Sequence, residues 1–416
     1  MINSSRGELN HQVHNATTLR NLGLHDELGL SSVKETLLAW YDHNKRDLPW
    51  RGQSNPWGTW VSEIMLQQTR VSSVLEYFDR FMQRFPSPTS LAEADWDEIS
   101  SMWAGLGYYS RARNLWEGAK QVVEYYGGEV PSSLDEIKSI KGVGPYTAGA
   151  ICSIAFNQVA PIVDGNVMRV FSRLYMIESE MRSAEAQRIY WSLATDWATH
   201  DRPGDINQAI MELGATVCTP KTPSCLLCPV FSACKAANKA DPLQFPVKSL
   251  AKTQKVRPTE TWLALILSRE REVSHGVDQA DHFPIREREF ALFRRPQKGL
   301  LGGQWALPMQ SCDDSMTKPT TEEISTLLET YCVKPLDDTH RKKDLIKINH
   351  KFTHKDWLVW GAVFELGVSD EVDQDLESDL EWFSLTEIDG MALGGPSLKL
   401  MRAAGLKLTA RRGSGR

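Results

Sequence analysis

The chain has 416 residues, of which 41% are hydrophobic and 24% charged, and its formal net charge is −6. That length suits two to three domains of ordinary globular composition, and no apolar run approaches the ~20 residues of a membrane span, so no membrane partner is expected. The negative balance excludes bulk attraction to nucleic acid, leaving any such binding to local basic clusters and backbone amides.

Residues 1–30 are polar and aperiodic, which predicts a tail. They contain acidic residues and lack the Arg-rich bias of a transit peptide, and no secretory signal is read. From Val33 to about Lys235 the pattern is helical. In WVSEIMLQQTRVSSVLEYFDRFMQRF the apolar Trp60, Ile64, Val71, Leu75, Phe78, Met82 and Phe85 recur at helical spacing up to Pro86 and Pro88. Short helices follow between Gly and Pro signals, which predicts an all-α globule over 31–235. Residues 236–258 are polar, basic and Pro-containing, a linker composition. Beyond them TWLALILS, EFALFRR and WLVWGAVFEL read as strands, and TTEEISTLLETYC and PSLKLMRAAGLKL as helices. A separate α+β domain is therefore expected over 259–410, with a tail at 411–416.

Two segments carry chemistry on their spacing. Cys218, Cys225, Cys228 and Cys234 form C-x6-C-x2-C-x5-C. Without a secretory signal, stable disulfides are not expected. Four sulfurs in one short loop suit a structural Zn²⁺ or a [4Fe–4S] cluster, and the single C-x2-C tilts the choice to iron–sulfur. Cys152, Cys312 and Cys332 stand alone and read as ordinary thiols. In KGVGPYTAGA, Gly142 and Gly144 flank Val143 in a tight turn before a helix. Such a turn lets backbone amides approach a phosphate and has the look of a helix-hairpin-helix.

The hairpin followed by the cysteine loop resembles the helix-hairpin-helix DNA glycosylase superfamily, and within it the MutY-type adenine DNA glycosylases. The resemblance rests on RDLPWR (46–51), WVSEIMLQQTRV (60–71), WAGLGYYSRARNL (103–115), GVGPYTAGAI (142–151), VDGNVMRV (163–170) and NQAIMELGATVC (207–218), with the cysteine loop. It implies a [4Fe–4S] cluster and removal of adenine mispaired with 8-oxoguanine or guanine in duplex DNA, with base flipping. Glu63 matches the acid that protonates the leaving base and Asp164 the carboxylate that stabilises the sugar cation, with Asn166 in support. Asp164 also reads as an N-cap in D-G-N. Tyr146 stands where strand-cutting relatives place a Schiff-base lysine, which implies a monofunctional enzyme. Lys141, in place of the family's usual proline, is expected to contact phosphate, with weak lyase activity worth checking.

By the same match, Leu48 and Trp50 would sandwich the flipped base, while Arg51 and Glu212 would read its polar edge. Gln67, Gln68 and Tyr108 would push into the helix beside the mismatch. Arg111, Arg113, Lys221, Lys235, Lys248 and Lys252 are candidates for phosphate contact.

RRPQKGLLGGQWALP (294–308) and HKFTHKDW (350–357) resemble the Nudix-like C-terminal domain of the same family. No G-x5-E-x7-R-E-x2-E-E run follows Pro308, so pyrophosphohydrolase activity is not expected. Phe352, Thr353 and His354 stand where the family reads 8-oxoguanine with Phe-Ser-His, and Ala306 replaces its usual Glu. Features such as RPGDINQAIMELGATVCTP look eukaryotic, which implies a nuclear enzyme, with mitochondria as a second address. A monomer is expected, with downstream repair proteins as partners.

Overall fold

The computed structural model describes residues 29–52, 55–248, 257–273, 285–296, 299–312, 318–331, 333, 343–352, 354–366 and 379–408. The tails at 1–28 and 411–416, Lys252, Cys332 and Thr353 lie outside these residues. The described residues of Met1–Ala94 and Ser110–Gln254 form one compact unit, and those of Asp95–Tyr109 and Lys255–Arg416 a second.

The first unit is helical. Its principal elements are α1 (Leu30–Asn44), α2 (Pro56–Leu66), α3 (Val71–Arg84), α4 (Pro88–Ala92), α5 (Tyr109–Tyr126), α6 (Leu134–Ser139), α7 (Pro145–Ala150), α8 (Gly165–Tyr175), α9 (Ala184–Ala198), α10 (Pro203–Thr216) and α11 (Lys235–Lys239). Helix α2 starts where Asn55 accepts from the Gly58 amide and Pro56 presets the first turn. It is buried on every side, with Trp60 and Met65 fully enclosed, so a charged residue on it is buried as well.

The single long period read through WVSEIMLQQTRV is in fact two helices. Helix α2 stops at Leu66, Gln68 takes a left-handed φ of 56°, and α3 begins at Val71. The buried Arg111 side chain donates to the carbonyls of Ile64, Met65 and Gln67. It thereby takes the Ile64 and Met65 acceptors that a continuing helix would use. The break rotates α3, which buries Val74, Tyr77, Phe78 and Phe81 and leaves Leu75 at 36% exposure.

The linker composition of 236–258 also misleads in its first half. Residues 236–239 lie in α11, and Ala236 and Phe245 are buried. Arg173 donates to the carbonyls of Pro242 and Phe245, and the Met181 amide to that of Val247. Backbone partners, which composition does not encode, fix this stretch to the first unit.

The second unit is built on a mixed sheet. Strands β1 (Thr259–Val273), β2 (Ile285–Arg294), β3 (Trp305–Ala306), β4 (Met309–Cys312), β5 (Ile346–Lys351), β6 (Asp356–Leu366) and β7 (Leu380–Ser384) run in the order β3-β2-β1-β6-β5, with β4 on β1 and β7 on β2. Strands β1 and β6 pair in parallel, with Leu263 opposite Trp360. Alternate β1 residues face opposite ways. Ala264 and Ile266 pack with Leu400 and Met401 of a helix at Gly395–Ala403, while Leu263, Leu265 and Leu267 pack with Leu327 and Leu328 of a helix at Thr321–Thr330. The segment 95–109, read from sequence as part of the helical domain, belongs to this unit: Asp97 pairs with Arg294, and the Ser101 hydroxyl donates to the Gly390 carbonyl at 2.7 Å.

Candidate active site

A cavity of about 570 Å³ opens in the first unit between α2, the 163–166 segment and α10, a volume in the ~300–1,000 Å³ range of small-molecule sites. Leu48, Trp50, Arg51, Glu63, Gln67, Gln68, Tyr146, Asp164, Asn166 and Glu212 all line it. Residues from segments more than 150 positions apart in the chain thus share one cavity.

Glu63 projects from the wholly buried α2 and is 6% exposed. Burial pushes its carboxyl up to about 7, with the Asp164 charge adding to the rise, while the Tyr146 hydroxyl and Arg51 oppose it. The Tyr146 hydroxyl donates to Glu63 Oε2 at 2.6 Å. Burial and the adjacent Glu63 charge hold the phenol itself well above its ordinary value, so it stays a donor.

Asp164 caps α8. Its Oδ1 accepts from the Val167 amide at 2.7 Å, and its Oδ2 accepts from Asn166 Nδ2 at 2.8 Å. Burial raises this carboxyl, opposed by those two donors, which favour the anion. Arg169 in turn donates to Asn166 Oδ1 at 2.9 Å and to the carbonyls of Gly214 and Cys218. A Cβ on Gly214 would come within 2.7 Å of the Asn166 Cβ, so this support is close-packed. The N-cap and cavity-facing roles expected of Asp164 coexist.

Glu212 departs from expectation. Its carboxylate accepts from Arg46 Nε at 2.6 Å, Arg46 Nη2 at 2.9 Å, the Arg46 amide at 3.3 Å and Arg51 Nη2 at 2.7 Å. Burial alone would raise Glu212, but these donors outweigh it and hold the carboxyl below its ordinary value. Four donors fill the ~four lone-pair positions of a carboxylate. In this arrangement Glu212 orients Arg51 and Arg46 and does not offer an open edge. Arg46 is a cavity-lining residue that the sequence reading passed over, although it opens the RDLPWR segment. Gln208, Met211 and Ala215 were passed over too. Their spacing from Glu212 puts all four on one face of α10, a signal present in the sequence.

Trp50 is 9% exposed and packs edge-on against Phe78 at 5.3 Å, and Leu48 is 6% exposed. Both are core residues that present one surface to the cavity.

The expectation that Arg111 contacts phosphate is overturned. It is 8% exposed and its guanidinium is bound to backbone carbonyls. Lys141 is exposed and pairs with Glu117 at 3.4 Å; it does not line the cavity. Gly142 has a φ of +81°, and a Cβ there would meet Asn114 at 2.6 Å, so the hairpin turn requires glycine. Val143 is buried and Gly144 caps α7 from an exposed position. Lys221 is exposed in the cysteine loop. Tyr108, in the second unit, is 43% exposed with a φ of 49°.

The four loop cysteines line one small cavity together with Arg173, Val217, Phe231 and Pro242. Among the described residues no group of three or more Cys, His, Asp or Glu is gathered as for a single ion. Four thiols around one small space, with Arg173 Nη1 donating to Cys218 Sγ at 3.3 Å, match the donor set of a [4Fe–4S] cluster. Cys152 is buried and Cys312 half-buried, each remote in sequence from this loop.

In the second unit Phe352 and His354 lie on the β5–β6 hairpin, where the Phe352 amide donates to the Lys355 carbonyl at 2.9 Å. Phe352 packs between Trp357 and His350, at 4.9 and 4.6 Å, whereas His354 is exposed. Ala306 is fully buried beside β2.

The buried acid, its partner carboxylate and the glycine hairpin fall within a match to a base-excision DNA repair family, and the sheet domain within a second match. The profile of the HhH-GPD superfamily base excision DNA repair proteins matches residues 61–195, and that of the NUDIX domain residues 283–403. The chain is 40% identical to the adenine DNA glycosylase of Mus musculus over 361 residues, covering 79% of this chain and 70% of that protein. It is 38% identical to that of Homo sapiens over 367 residues, covering 79% and 66%. A thermostable thymine-DNA glycosylase structure aligns with 51% of this chain and 97% of its own, at 28% identity and a TM-score of 0.47. The chain belongs to the adenine DNA glycosylase family, and it spans about two thirds of the length of these mammalian relatives.

Proposed function

We propose that this enzyme excises adenine mispaired with 8-oxoguanine or guanine in duplex DNA and leaves an abasic site without cutting the strand. The observation that carries the proposal is a carboxyl poised near neutrality, Glu63, in one cavity with the hydrogen-bonded carboxylate Asp164.

The adenine anion is a poor leaving group, and the sugar left behind becomes cationic. A flipped adenine in the cavity receives the Glu63 proton at N7 as the C1′–N9 bond breaks, its electron pair leaving with the base. Asp164 stabilises the oxocarbenium-like sugar. Water then bonds to C1′ and returns a proton to Glu63. The tryptophan and leucine of the cavity wall flank the base, and Arg51, held by Glu212, reads its edge. Gln67 and Gln68, which line the cavity, act as wedges, and Tyr108 is a separate wedge candidate; the backbone at Gly142, Val143 and Gly144 and the loop Lys221 take phosphates. Among the described residues that line the cavity there is no lysine, and Tyr146 stands where strand-cutting relatives place one, which supports hydrolysis without Schiff-base lyase chemistry.

Cys218, Cys225, Cys228 and Cys234 would hold a [4Fe–4S] cluster, which supplies a structural cross-link of the loop when bound. Iron content and absorbance near the visible edge distinguish it from zinc. Phe352, Thr353 and His354 would recognise 8-oxoguanine, with Phe352 anchoring the hairpin.

A duplex with one adenine opposite 8-oxoguanine tests the function. Strand cleavage only after alkali is expected. Cleavage without alkali would indicate a lyase, and no adenine release under either condition would refute the proposal.

A further inference from the structure

Gln68 holds a left-handed backbone that non-glycine residues adopt only when surrounding structure enforces it. Arg111 binds the residues on both sides of Gln68. Its Nη1 donates to the carbonyls of Ile64 and Met65, each at 2.9 Å, and to that of Gln67; its Nη2 donates to Thr69 Oγ1 at 3.2 Å. One buried cation on α5 therefore ends the helix that bears Glu63 and shapes the turn that follows. The partial negative charge at a helix C-terminus suits a guanidinium there. Gln67, Gln68 and Thr69 all face the cavity that holds Glu63.

We propose that Arg111 is a positioning residue for nucleotide extrusion: its clamp on the Ile64, Met65 and Gln67 carbonyls and on Thr69 makes the two-glutamine turn a rigid wedge. The proposal rests on the glycosylase reading above, which gives this turn its task. Unstacking a base loads the element that replaces it, and a turn held only by its own hydrogen bonds would yield. The acid itself sits one turn earlier on α2, where Tyr146 orients it independently. Loss of the clamp is therefore expected to impair extrusion more than proton transfer.

The experiment uses the 416-residue chain and a duplex in which 2-aminopurine neighbours an adenine opposite 8-oxoguanine. A second duplex places the same adenine opposite an abasic-site analogue, so that it is already unpaired. Arg111→Lys keeps the charge but loses the fork that reaches several carbonyls. It is expected to lower the unstacking signal and single-turnover release from the paired duplex by about tenfold, and release from the unpaired duplex by less than about threefold. Thr69→Val removes one acceptor and is expected to give the same pattern, smaller in size, with an unchanged thermal midpoint. Equal losses on both duplexes, or an unstacking signal like wild type in both variants, would overturn the proposal. If Arg111→Lys does not fold, Thr69→Val decides alone. If the wild type releases no adenine, the glycosylase reading fails; the unstacking signal needs no base release and still decides for Arg111.

Discussion

Removing a single hydroxyl is expected to extend the activity of this enzyme into alkaline pH. Tyr146 donates to Glu63 Oε2 at 2.6 Å, a bond that favours the carboxylate. It opposes burial, the main reason Glu63 lies at about 7. In Tyr146→Phe the burial and the nearby Asp164 charge remain, and both raise the carboxyl further. A hydrogen bond to a charged group contributes about 1.5–3 kcal/mol, which corresponds to about one to two pH units at 1.36 kcal/mol each. Base release requires the protonated acid, so its rate is level below the Glu63 pKa and falls as pH rises through it. The falling limb should therefore move from near 7 in the wild type to about 8–9 in the variant, read by single-turnover adenine release across roughly pH 5 to 10. A limb that stays in place or moves to lower pH would refute this account of how Glu63 is poised.

The other predictions concern stability, support and recognition. Glu63 is raised on folding, so it disfavours the folded state increasingly as pH climbs from 4.5 through about 7; Glu63→Gln should add up to about 3 kcal/mol of stability at pH 8 and little at pH 5, by denaturant titration. Gly214→Ala would press on the Asn166 Cβ, 2.7 Å away, and through it on Asp164; an overpacking cost of about 1–3 kcal/mol and slower base release with an unmoved pH limb are expected. His354→Ala, at an exposed hairpin position, should reduce the preference for 8-oxoguanine over guanine opposite the adenine while leaving release from an adenine–guanine mismatch about unchanged, measured by comparing single-turnover rates on the two duplexes.

The sequence was informative where chemistry is local. The β-forming apolar run TWLALILS, the capping Asp164, the glycine hairpin and the four-cysteine loop all read directly from the chain. Resemblance selected ten of the cavity residues, and the structure brings them together. What escaped were effects set by distant partners. The helix break at Gln67 follows from Arg111, whose charge suggested a solvent-facing role but whose donors turn inward. The Glu212 carboxylate looked like an edge-reading group until Arg46 and Arg51 filled its acceptor positions. The folding of 236–248 depends on Arg173 and on backbone partners that polar composition conceals. In each case a tertiary hydrogen bond overrode a local tendency.

Glu63→Gln and Asp164→Asn, compared with wild type for adenine release and for duplex binding, test the paired-carboxyl mechanism most directly. Glutamine cannot supply the proton; asparagine still caps α8 but cannot counter a sugar cation. Both variants should bind the mismatched duplex and release essentially no adenine. Near wild-type release by either one would contradict the assignment of that side chain and, with it, the mechanism.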